Sequence, residues 1–132
     1  MTPTFTAIGI VVADMPAAVA FYRRLGLEFA SDSDDHEETE LAGGVRLMLD
    51  TEKSIQPFTP GWRPPTGSPR AALAFHLESP AAVDAKYAEL IEAGYHDERA
   101  PWDAFWGHRY ASVLDPDGNG VDLFAELPAA AS

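Results

Sequence analysis

The sequence lacks cysteine altogether, which excludes a disulfide framework and any thiolate metal site. It also lacks an apolar run near the roughly 20 residues that a transmembrane helix requires. Basic residues are scarce, since nine lysines and arginines stand against 21 aspartates and glutamates, for a formal net charge of -12. This imbalance disfavours nucleic acid and anionic membranes as partners, because their phosphates would be repelled.

Several other signals are missing. The first five residues carry no basic start followed by an apolar block, so no secretory signal is predicted and we expect a cytoplasmic protein. There is no glycine-rich phosphate loop, serine elbow or catalytic cysteine. What is present is ordinary: a hydrophobic fraction of 46% and a length of 132 residues predict a single globular domain over residues 1–132.

Hydrophobic periodicity predicts two similar halves. The first is predicted as a strand, a helix and three strands at residues 5–13, 15–25, 27–30, part of 31–40, and 45–50. The second follows the same order at residues 70–78, 80–92, 95–98, 108–114 and 121–125. Asp14 and Ser79 are the predicted N-caps of the two helices. Between the halves, residues 51–69 form a proline-rich linker that Phe58 and Trp62 anchor.

An internal repeat supports this division, because Pro-Ala-Ala-Val occurs at residues 16–19 and again at 80–83. A repeat of two units is too short for a solenoid and fits two βαβββ modules with curved sheets that share a pocket. We therefore predict an α+β fold with module one at residues 1–50 and module two at residues 70–127. We also expect the chain to form a homodimer.

Four segments in order and spacing identify a family. They are VVAD at 11–14, FYRRLGL at 21–27, LAF at 73–75 and DPDGN at 115–119. Together they resemble the vicinal oxygen chelate superfamily, which includes glyoxalase I, extradiol dioxygenases and the bleomycin-resistance proteins. The second half, with PWDAFWGHRYA at 101–111 and VDLFA at 121–125, is most similar to the mitomycin-binding resistance protein group. That resemblance implies binding of a planar drug between aromatic side chains, without a metal.

The superfamily's enzymes hold a divalent metal with His, Glu or Gln from the first and last strand of each module. The resemblance places those four positions at Ala7 or Ile8, Arg46, Ala72 or Ala71, and Asp122. Alanine and isoleucine offer no ligand atom, and an arginine would repel a cation, so we expect neither a metal nor a cofactor.

Eight residues are predicted to bind a ligand: Trp106, Trp102, His76, Asp122, Phe58, Trp62, Tyr110 and Phe124. Tryptophan and tyrosine stack on planar molecules, and strand alternation places Asp122 and Phe124 on one face. Simpler roles stay open: His76 at a pocket rim or dimer contact, Asp122 in an ion pair with Arg46 or Arg109, and the aromatic side chains as loop anchors or dimer contacts. The acids of the turn at 115–119 are expected to be solvated and structural, and those of the run at 32–40 to form a solvated acidic edge.

These observations favour metal-independent binding and sequestration of a planar aromatic or quinone-like antibiotic or metabolite, as in resistance proteins. Such binding is stoichiometric and needs no catalysis. Two enzymatic alternatives remain: a metal-dependent lyase or dioxygenase of the glyoxalase type, and a metal-free enzyme that uses His76 as a general base. A housekeeping fold with a vestigial pocket is the third alternative.

Overall fold

The structure is a computed structural model and describes residues 1–129. The chain divides into two compact units, with the boundary between Thr66 and Gly67. Each unit contains one sheet and one long helix, which confirms the predicted α+β class. Among the described residues, no helix has both the length and the hydrophobicity needed to cross a bilayer.

Unit one contains a three-stranded sheet. Its elements in chain order are β1 (Ala7–Val12), α1 (Met15–Arg24), β2 (His36–Glu40), a 3-10 turn (Ala42–Gly44), β3 (Arg46–Thr51) and the short α2 (Glu52–Ile55). The strand order is β1-β3-β2, with β1 parallel and β2 antiparallel to β3. Leu47 and Leu49 of β3 are fully buried, as are Phe21 and Tyr22 of α1, so these residues form the core of this unit.

Unit two contains a four-stranded sheet. Its elements are β4 (Ala72–His76), α3 (Pro80–Glu92), β5 (His96–Asp103), β6 (His108–Leu114) and β7 (Gly120–Glu126), in the strand order β4-β7-β6-β5. Only the β4–β7 pair is parallel among the described strands of this sheet. The βαβββ order predicted for this half is therefore confirmed.

Both long helices begin at the predicted caps. The Asp14 carboxylate accepts a hydrogen bond from the Ala17 N–H at 3.1 Å, and the Ser79 hydroxyl accepts one from the Ala82 N–H at 3.1 Å. Each bond satisfies a backbone donor that has no partner inside the helix. Pro80 follows Ser79 directly, at a position where the missing N–H costs no helical bond.

The strand predicted over residues 27–30 is wrong. Two side chains hold this segment in an irregular path: the Arg23 guanidinium donates to the Phe29 carbonyl at 3.1 Å, and the buried Glu37 carboxylate accepts from the Ser31 and Ser33 N–H groups at 3.0 and 2.9 Å. Ser31 also has a φ of 58°, which a strand does not permit. The Ser31 and Ser33 N–H groups, which follow this segment, are thus satisfied by a side chain instead of a strand ladder.

Two further boundaries differ from the prediction. Strand β5 continues to Asp103, so Trp102 lies in a strand opposite Tyr110 and the aromatic loop shrinks to a short turn at residues 104–107. The ladder is interrupted by register shifts, which let a strand that contains Pro101 continue. The linker is also more regular than predicted, because α2 lies within it and the Thr51 hydroxyl caps that helix.

The expectation that the acids of the turn at 115–119 are solvated is wrong for Asp115. Its side chain is buried, at 4% exposure. One carboxylate oxygen accepts the N–H groups of Asp117 and Asn119, both at 2.9 Å, and the Asn119 side-chain amide reaches both oxygens, at 3.2 and 3.0 Å. This carboxylate therefore fixes the turn that joins β6 to β7.

We predict that Asp115→Ala lowers the free energy of unfolding by about 2 kcal/mol, because several buried donors lose a charged acceptor. Urea denaturation followed by circular dichroism measures the change. Asp32→Ala, at an exposed position in unit one, is the control and should change stability by less than about 0.5 kcal/mol. Equal effects of the two substitutions would contradict the structural role of Asp115.

Candidate ligand-binding site

The exposed face of the unit-two sheet collects most of the residues predicted to bind a ligand. In β7 the residues Val121, Leu123 and Ala125 are buried, so the alternate residues lie on the opposite face. We call that opposite surface, with the turn beside it, the aromatic face. Its members are Trp102, Trp106, His108, Tyr110 and Ser112 from β5, the turn and β6, together with His76, Asp122, Phe124 and Glu126 from β4 and β7.

Ring contacts run continuously across the aromatic face. Trp106 meets Trp102 edge-to-face with centroids 5.4 Å apart, and it meets Tyr110 in the same way at 5.4 Å. Tyr110 stacks at 6.1 Å on Phe124, which His108 approaches at 5.1 Å. Edge-to-face and offset arrangements are the favoured geometries of aromatic pairs. The rings of the cluster therefore support one another through their own contacts.

Trp106 is held from two sides. Its indole Nε1–H donates to Nδ1 of His108 at 3.2 Å. Since an indole nitrogen can only donate, Nδ1 of His108 must be the acceptor, which places any ring proton of the neutral imidazole on Nε2. The Phe105 ring also packs edge-to-face against the Trp106 ring, with their centroids 4.9 Å apart. Both side chains stay accessible, with Trp106 46% and Phe105 92% exposed.

Asp122 provides the polar part of the aromatic face. Its two carboxylate oxygens accept separate hydrogen bonds, one from the Tyr110 hydroxyl at 2.8 Å and one from the Ser112 hydroxyl at 2.7 Å. Burial and then the hydrogen bond to Asp122 raise the pKa of Tyr110 to about 12. Tyr110 consequently stays protonated at neutral pH and acts as a donor to the acid.

The alternative that Asp122 pairs with an arginine is replaced by this arrangement. Arg109 donates instead to Asp84 of α3 at 2.9 Å and to Asp103 at 3.0 Å, and Arg46 of unit one pairs with Glu38. These acids hold the pKa of Arg109 above its ordinary value, with the Asp84 hydrogen bond the largest cause. Hydroxyl groups, not cations, therefore stabilise Asp122.

His76 lies at the β4 edge of the aromatic face. Its ring contacts Phe124 edge-to-face at 5.2 Å, and its Nε2 is 2.7 Å from a carboxylate oxygen of Glu126. That hydrogen bond is the main reason why the pKa of Glu126 is lowered. His76 is thus oriented by an acid, as the imidazole of a general base usually is, although both groups remain exposed to solvent.

The structure brings together six of the eight predicted residues on the aromatic face. Phe58 and Trp62 belong to unit one, where Phe58 is 81% exposed and the Trp62 carbonyl accepts a hydrogen bond from Gln56. Sequence reasoning missed His108, Ser112 and Glu126. Strand alternation could have found His108 and Ser112, because they lie two residues either side of Tyr110 in the same strand.

The positions at which the superfamily holds its metal do not fit one here. Ala7 and Ala72 end in methyl groups, and Arg46 carries a positive charge that Glu38 already engages. Asp122 is the only ligand-type residue of the four, and hydroxyl protons occupy both of its oxygens. Across residues 1–129, no three His, Asp or Glu side chains are grouped so as to hold an ion. The residues at these positions therefore do not fit a divalent metal.

A cluster of charged and polar side chains lies on the sheet of unit one. The two ring nitrogens of His36 contact Asp50 at 2.6 Å and Glu38 at 3.0 Å, and Glu38 also pairs with Arg46. The hydrogen bond to Asp50, followed by that to Glu38, raises the pKa of His36 above its ordinary 6.5. The hydrogen bond from His36 in turn lowers the pKa of Glu38. We call this set the His36 cluster.

The fold and its exposed aromatic face define a small α+β protein built from sheet-and-helix units. Residues 4–123 match the sequence model of the Glyoxalase/Bleomycin resistance protein/Dioxygenase superfamily, and the chain belongs to that superfamily. No curated protein matches the sequence.

Solved structures show the same fold. A glyoxalase/bleomycin resistance protein/dioxygenase from Nocardioides is 27% identical, with 100% of this chain and 91% of that chain covered and a TM-score of 0.75. A glyoxalase/bleomycin resistance protein/dioxygenase family enzyme from Burkholderia phytofirmans PsJN is 20% identical over 95% of this chain and 100% of that chain, with a TM-score of 0.82. A glyoxalase-related enzyme from Fulvimarina pelagi is 20% identical over 95% and 89%, with a TM-score of 0.80.

We predict that Asp50→Asn lowers the pKa of His36, because the largest cause of its rise is removed. A raised pKa means that protonated His36 stabilises the fold below about pH 6.5, and that this contribution disappears as the pH rises through the folded-state pKa. Asp50→Asn should therefore cost more stability near pH 5.5 than near pH 8.5. NMR titration of the four histidines, with His36→Gln for assignment, measures the pKa.

Asp32→Asn serves as the control for this titration, because Asp32 is exposed and lies outside the His36 cluster. Its pKa effect on His36 should be small, since exposed charges at a distance are screened. An unchanged His36 titration in Asp50→Asn would show that the 2.6 Å contact does not exist in solution.

Proposed function

We propose that the protein binds planar aromatic or quinone-like molecules, such as an antibiotic or a metabolite, and sequesters them without a metal. The observation that supports this proposal is the exposed, continuous ring cluster of the aromatic face, in particular Trp106 with its neighbours Trp102 and Tyr110. Large rings on a solvent-accessible surface are typical of binding sites. The resemblance of residues 101–111 and 121–125 to the mitomycin-binding group favours the same class of ligand.

The binding energy would come mainly from ring stacking and from the burial of ligand and protein surface. Each aromatic pair contributes about 0.5–1.5 kcal/mol beyond the area term, and the area term is about 25 cal/mol per Å². Because Trp106 and Tyr110 are already positioned, little side-chain entropy is lost on binding. Such a site reaches micromolar affinity, about -8 kcal/mol, with a drug-sized ligand.

The negative charge of the protein limits which ligands the aromatic face can bind. The chain carries a net charge of -12, and Asp122 and Glu126 add local negative charge to the aromatic face. Arg99 lies next to this face, but its guanidinium stacks over the Trp102 ring at 4.0 Å. Anionic ligands are therefore disfavoured, and neutral or cationic planar molecules are preferred.

A second candidate function rests on the His76–Glu126 pair. An imidazole that hydrogen-bonds a carboxylate at 2.7 Å can abstract a proton from a bound substrate, as a metal-free general base. Turnover distinguishes this function from sequestration. An enzyme would convert many equivalents of a planar substrate and lose that activity in His76→Gln, whereas a sequestering protein recovers its ligand unchanged at one equivalent per site.

We predict that planar quinones quench the tryptophan fluorescence saturably, and that Trp106→Ala weakens binding about 10-fold, which corresponds to 1.4 kcal/mol. Trp106→Phe should retain most of the affinity, because a stacking ring is kept. Fluorescence titration of the purified protein, repeated by calorimetry for the variants, provides the measurement. A chelator should leave the binding unchanged.

Phe5→Ala is the matched control, since Phe5 is also an exposed aromatic side chain (68%) but belongs to unit one. Its affinity should equal that of the unmodified protein. Stoichiometric Fe, Ni, Zn or Mn by elemental analysis, lost together with activity in Asp122→Ala, would overturn the proposal and favour a metal enzyme. No saturable quenching by any planar compound would also overturn it.

A further inference from the structure

We infer that the polar edge of the aromatic face is a hydrogen-bond acceptor, so that the site selects planar ligands carrying an N–H or O–H group over ligands that offer only carbonyl or ether oxygens there. Aromatic amines, phenols and hydroquinones form the selected class. The residues that set this preference are Tyr110, Ser112 and Asp122. The inference rests on the proposed function and specifies its ligand.

The geometry commits both hydroxyl protons. Ser112 lies directly opposite Asp122 in the β6–β7 ladder, and Tyr110 is the next residue of β6 on the same face. The Ser112 hydroxyl is 2.7 Å from one carboxylate oxygen and the Tyr110 hydroxyl 2.8 Å from the other. An ionised carboxylate has no proton to give, so each hydroxyl must be the donor.

A hydroxyl group carries one proton and two lone pairs. With its proton directed at Asp122, each hydroxyl can offer only lone pairs to any further partner. Tyr110 and Ser112 are both half-buried and therefore still reachable from solvent. Toward a ligand, this edge consequently presents two acceptor oxygens with a carboxylate behind them, and no donor from these three residues.

The acceptor edge adjoins the ring cluster. The ring that carries one acceptor, Tyr110, stacks on Phe124 at 6.1 Å and meets Trp106 at 5.4 Å. A planar ligand against these rings thus has its substituents near the Tyr110 and Ser112 oxygens. A ligand N–H or O–H is satisfied at that position, whereas a carbonyl oxygen faces like partial charge and gives up its bonds to water.

The carboxylate also determines the sign of the preference. In Asp122→Asn, the carboxamide would have an N–H₂ group in place of one acceptor oxygen. That group donates to one hydroxyl, and the proton of this hydroxyl is then released toward the ligand. One acceptor of the edge becomes a donor, so discrimination against carbonyl oxygens should largely disappear.

The test uses two neutral planar probes that differ in donor capacity, 2-aminoanthraquinone and 2-(dimethylamino)anthraquinone. Dissociation constants from tryptophan quenching and calorimetry are compared for the intact chain and for its variants. We expect the intact protein to bind the amino compound at least about 10-fold more tightly, since a missing partner at a built hydrogen-bonding site is strongly rejected. In Asp122→Asn the ratio should fall to within about 2-fold.

A second variant keeps the inference testable if Asp122→Asn does not fold. The triple substitution Tyr110→Phe, Ser112→Ala and Asp122→Ala removes both hydroxyl acceptors and the carboxylate behind them but keeps a ring at position 110, so it should also abolish the preference. Asp103→Asn is the control, because Asp103 is also an acid on this sheet but pairs with Arg109 instead of with the Tyr110 or Ser112 hydroxyl. The preference should survive in this variant.

The outcomes separate the inference from the proposed function. Equal affinity of the intact protein for both probes would overturn the acceptor edge while leaving planar-ligand binding standing. A preference that persists in both Asp122→Asn and the triple variant would likewise overturn it, because the preference would then arise elsewhere. If neither probe binds and other planar compounds also fail to bind, the proposed function and the inference are overturned together.

Discussion

The packing of α3 against one face of the four-stranded sheet is the constraint on which unit two depends. Val83 and Leu90 of the helix are fully buried, as are Val121 and Leu123 of β7. Because side chains alternate across a strand, this burial forces the residues in between onto the opposite face. The core therefore determines which side chains lie on the aromatic face.

Two buried acids then fix turns and loops whose conformation the alternation of side chains along a strand does not determine. Asp115 closes the β6–β7 turn through its bonds to the backbone and side chain of Asn119, and the length of that turn sets the register that places Ser112 opposite Asp122. The Asp115 carboxylate thus helps to position the Asp122 carboxylate. Glu37 has the same kind of role in unit one, where it holds Ser31 and Ser33.

Local sequence rules predicted the parts of the structure that depend on neighbouring residues. The caps at Asp14 and Ser79 and the shared face of Asp122 and Phe124 followed from residue type and spacing alone. The hydroxyl partners of Asp122 depend on strand register, and the irregular backbone at Ser31 is held by Glu37, several residues further along. Such pairings bring together residues that sequence periodicity does not relate, so they emerged only from the folded chain.

The right-angled contact of Trp102 with Trp106 has an optical consequence. Two indoles with centroids 5.4 Å apart and planes at 89° are close enough for their electronic transitions to couple. Such coupling produces circular dichroism when the two transition dipoles are skewed relative to each other. The aromatic face therefore contains its own circular dichroism reporter in the near and far ultraviolet. A molecule that bound between or against these rings would change the circular dichroism signal, so no label on the protein would be needed to detect it.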